Sequence, residues 1–176
     1  MNETTILNKY GLNTLVVFAD SLKTNLRNST AYPSKISLPY IIQEIIDTLG
    51  GTFIYPSQKG KDSDFIKGQI EKATNQLVNK YTLSKQETYF IYENILKSFF
   101  IFEGEHLYFP NNKQLYTIKK HINLILENEQ NYIPTFQLAK KYNLSTQTTG
   151  RILKKRKELL LIKKLLEKHQ LCEFEH

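Results

Sequence analysis

A thirteen-residue block occurs twice in this chain, so whatever fold it adopts must hold the same local structure at two places. Residues 76–88 read QLVNKYTLSKQET and residues 137–149 read QLAKKYNLSTQTT, identical at eight of thirteen positions with no gap. The flanks agree in outline. Gly50-Gly51 followed by Ile54-Tyr55-Pro56 parallels Gly104 followed by Leu107-Tyr108-Phe109-Pro110. A repeated helix–strand–helix-turn-helix unit accounts for both correspondences. The competing explanation is two similar helical turns arising from biased composition, which identity at this density disfavours.

The second copy carries the chemistry. Gln137 to Lys157, QLAKKYNLSTQTTGRILKKRK, reads as a helix-turn-helix followed by a basic helix extension. The first helix is expected from about Pro134 to Tyr142, with Leu138 and Ala139 facing inward and Ala139 small enough for a close helix crossing. Asn143 stands where the turn needs a residue that tolerates a left-handed backbone. Leu144 plugs the angle between the helices, and Ser145 is a natural N-cap for the second. Ile152 and Leu153 return that helix to the core. Thr146, Gln147, Thr148, Arg151, Lys154 and Lys155 are left on or near its outward face, and Ser145 and Arg156 complete the expected DNA-contacting set. Gln can pair with adenine, Arg with guanine, and Thr can offer a hydroxyl or methyl to a base edge. Lysines suit phosphates. The plainer alternative is a three-helix core with a solvated, lysine-rich outer helix.

Charge supports an anionic partner. Net charge is +7 over 176 residues, a length that admits one or two small domains. From Lys113 onward there are 13 Lys or Arg against six Asp or Glu, and Arg151–Lys168 holds eight basic residues against Glu158 and Glu167. Such clustering is the footprint of a surface that meets phosphates. An anionic membrane would also accept it, but the apolar positions after Ser145 are already claimed by a core. The longest apolar region, Tyr89–Phe102, is interrupted by Glu93, Asn94, Lys97 and Ser98 and is too short and polar to span a bilayer. Cys172 is the only cysteine, which rules out an intrachain disulfide and suits a reducing cytosol. The start, MNETTILNKYGLN, lacks a signal-peptide pattern, so a cytoplasmic location is expected. Abundant Lys, Asn, Ile and Tyr hint at an AT-rich bacterial or phage genome.

Along the chain, apolar spacing predicts helices over Leu12–Arg27, Leu38–Leu49, about Asp64–Tyr81, Ser84–Phe102, Lys113–Glu127 and Glu158–His169. Ser29–Ser37 and Ser57–Asp64 read as loops. Gly50-Gly51 is expected to stop the second helix. Thr52–Tyr55 and His106–Phe109 are short β-prone runs, each closed by a proline. Ile118, Ile122 and Ile125 mark the buried side of the helix before the second copy. The helix after Ser84 carries Tyr89, Phe90, Ile91, Tyr92, Ile95, Leu96, Phe99 and Phe100, and its only basic residues are Lys85 and Lys97. So many aromatics would not be left in water, so this helix is expected to be buried at the centre. The first helix-turn-helix would then be a relic, with Lys85 and Gln86 at most touching phosphate. The apolar stripe Leu159, Leu160, Ile162, Leu165 and Leu166 is expected to pack on its own domain or to make a dimer contact.

The layout of helix, Gly-Gly stop, short strand ending in Tyr-x-Pro, amphipathic helix and C-terminal helix-turn-helix resembles the Mor family, the middle-operon transcription activators of Mu-like phages. The matching residues are Leu38–Leu49, Gly50-Gly51 and Ile54-Tyr55-Pro56 in the first unit. In the second they are Gly104, Leu107–Pro110 and Gln137–Arg156. The resemblance covers about Leu38 to Lys157. It implies a mainly α fold with short β-strands, dimerisation through Leu38–Pro56 or Thr88–Pro110 with strands pairing between subunits, DNA contact through Ser145 to Arg156, and an encounter with host RNA polymerase. The duplication is a departure, since two strands in one chain could pair with each other and form an internal pseudo-dimer. The expected organisation is an N-terminal helix and loop (1–37), a duplicated helix–strand core with a degenerate helix-turn-helix (38–112), and a DNA-binding domain with a basic C-terminal helix (113–176).

No enzyme is expected, and no cofactor. His106, His121, His169 and His176 are scattered without cysteine partners at metal spacing. Glu103-Gly104-Glu105-His106 falls at a helix-to-strand junction and reads as a polar turn. Gly60-Lys61 lacks the upstream glycine of a P-loop, and Asp62 and Asp64 lack the remaining ligands of a calcium loop. The aromatic run could stack single-stranded bases, but its helical spacing without interleaved cations favours core. Two further classes compete with a regulator. One is a phage-encoded factor that uses a helix-turn-helix fold to grip a host protein. The other is an architectural or replication factor.

Overall fold

Apolar residues three and four positions apart produce helices along almost the whole chain. A computed structural model describes residues 2–27, 33, 35–58 and 60–171. Among them are nine helices and two short strands, so the protein is mainly helical with a minimal sheet. The loop expected at Ser29–Ser37 lies largely outside the described residues, as do Cys172 and His176.

The first helix, α1 (Glu3–Lys9), was not anticipated by apolar periodicity. It forms because Asn2 accepts from the Thr5 N–H at 2.8 Å and because Ile6 and Leu7 are buried. Gly11, at φ +66°, turns the chain into α2 (Asn13–Arg27). Helix α3 (Leu38–Leu49) follows with Pro39 in its first turn, where a missing N–H costs nothing. After strand β1 (Phe53–Ile54), α4 (Gly60–Tyr81) starts at Gly60 rather than Asp64, and Asp62 falls in its first turn, where it complements the helix dipole. Helix α5 (Lys85–Phe100) opens on a complete capping box between Ser84 and Glu87. It stops short of Phe102, and residues 101–104 form the turn into β2 (Leu107–Tyr108). Helix α6 (Asn112–Asn131) outruns its expected end at Glu127 and stops only where Tyr132 turns left-handed. Three helices complete the chain: α7 (Thr135–Lys141), α8 (Thr146–Lys154) and α9 (Arg156–Lys168).

The two strands pair with each other inside the chain. They run antiparallel, with Phe53 opposite Tyr108 and Ile54 opposite Leu107. Gly50-Gly51 makes the approach possible. The Gly51 N–H donates to the Phe109 carbonyl at 2.9 Å, and Gly51 itself sits at φ +84°. A Cβ on Gly50 would collide with the Ile46 carbonyl oxygen and stand 3.0 Å from Asn111 Cα and the Pro110 oxygen. Backbone atoms cannot yield as a side chain can. Gly50→Ala is therefore expected to destabilise the fold by about 1–2 kcal/mol, read as a lower urea midpoint at unchanged slope. A midpoint equal to that of the unaltered chain would contradict the close approach.

One continuous core runs through the molecule. Helix α5 packs against both α2 and α4, and α3 packs on α4. At the centre Phe18, Phe99 and Phe109 meet with ring centroids 4.8, 5.3 and 5.6 Å apart. The expected burial of α5 holds for one face only. Ile91, Ile95 and Phe99 are buried, whereas Tyr89 is two-thirds exposed (66%). At the other end α9 packs on α6 and α1, so its apolar stripe is covered by its own chain. Leu159, Ile162, Leu165 and Leu166 are buried there. Lys9 reaches Glu158 at 2.8 Å and His169 reaches Asp20 at 2.6 Å, tying the first two helices to the last.

Candidate nucleic-acid interface

The three helices α6, α7 and α8 meet through a turn that the sequence specifies residue by residue. Pro134 cannot donate a backbone hydrogen bond, and it restrains Ile133 before it. Together with left-handed Tyr132 (φ 51°) it separates α6 from α7. In the first block Ala73 takes the place of Pro134, and α4 runs unbroken through the same register. The α7–α8 turn then follows. The Tyr142 N–H donates to the Leu138 carbonyl at 2.9 Å, Asn143 adopts φ 50°, and the Leu144 N–H donates to the Ala139 carbonyl at 2.9 Å. The Ser145 hydroxyl accepts from the Thr148 N–H at 3.1 Å and caps α8. Leu138, Ala139 and Ile152 are buried, and Leu144 and Leu153 are partly buried against the core. The expected left-handed residue, cap and inward positions are all found.

A carboxylate clamps the turn from behind. The Tyr142 hydroxyl donates to Glu127 of α6 at 2.9 Å, and Lys141 forms an ion pair with the same carboxylate. The Lys141 and Tyr142 hydrogen bonds hold Glu127 below the usual carboxylate range. Burial, helped by that bond and by the Glu127 charge, pushes the Tyr142 phenol up to about 12.

The outer side of α8 is polar and carries no negative charge. Between Glu129 and Glu158 the chain holds seven Lys or Arg and no carboxylate. Gln147, Arg151 and Lys154 are exposed and share one face, since positions i, i+4 and i+7 align on a helix. Ser145 and Thr146 lie at the exposed N-terminal end. Thr148 is half-buried on the flank, with its hydroxyl 2.8 Å from that of Ser145. The expected basic extension is not one helix. At Lys155 the chain bends, tightening into a bond from its N–H to the Ile152 carbonyl at 2.9 Å, and α9 begins at Arg156. Arg156 then turns away from the α8 face and pairs with Glu129 of α6.

The flank of α8 borders a cleft of about 670 Å³ that sequence reasoning did not foresee. Thr148, Arg151 and Lys155 form one wall, Lys113, Thr117 and His121 of α6 the other, and the Lys9–Gly11 turn closes one end. Ile118, Ile152 and Leu159 line the bottom. Burial lowers the His121 pKa, and the nearby Lys120 and Lys155 charges lower it further. Gly150 was also passed over. It sits mid-helix with nothing within 4 Å of where a Cβ would stand, so internal packing does not require it. An unneeded helical glycine was the available signal.

No family model, curated protein or solved structure matches this chain.

The remaining sequence features have structural placements. Glu103 accepts from the Gln58 backbone N–H at 3.2 Å and its side-chain amide at 2.8 Å, and His106 stacks on Tyr55 with centroids 5.0 Å apart. Gly60, Lys61, Asp62 and Asp64 lie at the start of α4. Among the described residues no three His, Cys, Asp or Glu gather as a metal site, and no helix is long and apolar enough to cross a membrane.

Proposed function

We propose that this protein is a sequence-specific double-stranded DNA-binding transcription regulator that lays α8 in the major groove. The observation that carries the reading is the α7–α8 turn together with the face it presents. A left-handed Asn143, the Ser145 cap and buried Ile152 aim Gln147, Arg151 and Lys154 outward with no carboxylate beside them. In a helix-turn-helix the second helix enters the major groove, and these side chains suit base edges and phosphates. On this reading the chain is a binding protein rather than an enzyme, and works in the cytoplasm.

Internal duplication belongs to the same proposal. Thr82 and Asn143 align in the repeated blocks, and both are left-handed, at φ 52° and 50°. Ser84 and Ser145 both cap the next helix, and Thr88 and Thr149 both donate to the carbonyl of that serine. The copies differ in what the second helix presents. Where α8 presents Gln147, Arg151 and Lys154, the aligned positions of α5 are Gln86, Phe90 and Glu93, without a cation. One chain would thus carry one reading head. The β1–β2 pairing inside the chain supports an internal pseudo-dimer in place of the two-chain strand pairing implied by the Mor resemblance. The activator role and an encounter with RNA polymerase rest on that resemblance alone.

Selection of bound duplexes from a random-sequence pool tests the reading. A single recovered half-site is expected, with affinity falling steeply as salt rises because phosphate contacts release counterions. A second reading has one observation in its favour. Tyr132 and Phe136, at the α6–α7 corner, are 88% and 64% exposed and would suit a protein partner. No enrichment from the pool would discard base reading and leave that alternative.

A further inference from the structure

The lining of the cleft beside α8 holds cations and no carboxylate. Among the described residues Lys113, Arg151 and Lys155 have no ion-pair partner. The nearest acidic group on the α9 side, Glu158, is already taken by Lys9 at 2.8 Å and by the Tyr10 hydroxyl at 3.2 Å. Lys113 stands in the first turn of α6, where a cation opposes the helix dipole. An anion in the cleft would offset that cost. The shape narrows the choice of anion. The charges lie along two facing walls above an apolar floor, and Arg151 belongs to both the cleft wall and the outer face of α8. A polyanion crossing from that face into the cleft would set its charged groups on the walls and its carbon atoms on the floor.

We propose that this cleft seats one sugar–phosphate strand of the DNA duplex beside α8, with Lys113 and His121 of α6 contacting its phosphates. The inference rests on the DNA reading of α8 and extends the interface to a helix outside the turn. It also gives the grip a pH dependence. His121 faces Lys113 and Lys120 on its own helix, Arg151 on α8 and Lys155 at the α8–α9 bend, while Lys9, Tyr10 and Glu158 stand at the far end. In the free protein burial, with the Lys120 and Lys155 charges, disfavours its protonation. A phosphate brought alongside reverses that, so the complex binds a proton that the free protein does not. Affinity must then rise as pH falls toward 6.

Fluorescence anisotropy of the full chain on a duplex recovered from the pool, at several salt concentrations and from pH 7.5 to 6.0, tests this. Lys113→Ala is expected to weaken every sequence alike, about three- to tenfold, and to reduce the logarithmic salt slope by about 1. His121→Gln is expected to abolish the rise in affinity, about three- to tenfold, that the unaltered chain shows between pH 7.5 and 6.0. Circular dichroism checks that both variants are folded. If both keep the wild-type slope and pH profile while Arg151→Ala still loses affinity, the cleft assignment is wrong and the DNA reading stands. If the unaltered chain binds no duplex, both fall.

Discussion

Replacing Phe99 by alanine is expected to remove about 3–5 kcal/mol of folding free energy, the usual range for emptying a fully buried aromatic site. Its ring is fully buried and stands 4.8 Å from Phe18 and 5.6 Å from Phe109, so it joins α2, α5 and the end of β2. A cavity there has three elements around it, and none can close in without dragging the others. Marginal stability makes such a loss severe, since a typical domain has only about 5–15 kcal/mol in total. Urea unfolding measures it. Tyr89→Ala on the exposed side of the same helix should cost within about 0.5 kcal/mol. Similar losses for the two would mean that α5 is not the central packing element.

Arg151→Ala should change what the protein reads rather than whether it folds. Arg151 is exposed and lacks an ion-pair partner among the described residues, so truncation removes no internal contact of consequence. On DNA it should cost about 1–3 kcal/mol at one base position, roughly 5- to 150-fold, and relax preference there. Lys155→Ala, at the bend, should instead weaken all sequences alike. Competition binding on a panel of single-base variants separates the two patterns. Equal losses on every sequence for both substitutions would remove Arg151 from base reading and leave it a phosphate contact.

Local rules made much of this architecture legible. Helix α3 runs Leu38–Leu49, as its apolar spacing predicts, and the Asn143–Ser145 turn has its expected left-handed residue and cap. Each depends on neighbours within four positions. What escaped depends on distant partners or on endings. Helix α1 is too short for a periodic signal and exists by packing on α9. The bend at Lys155 has neither proline nor glycine to announce it, and Arg156 turns toward a glutamate 27 positions earlier. Identity within the repeated blocks could not reveal that α2 would pack on α5. The cleft was invisible for the same reason, since Lys113 and His121 meet Arg151 and Lys155 only through tertiary packing.

The clasp between the first and last helices also bears on how the molecule is made. Lys9 and its partner Glu158 are 149 residues apart, and Ile6 and Leu7 are buried in the finished fold. A ribosome adding about 5–20 residues per second needs roughly 7–30 s to span that interval. Throughout it α1 lacks α9. Helix α1 is therefore among the last to settle, since until α9 emerges it has only α2 to pack on.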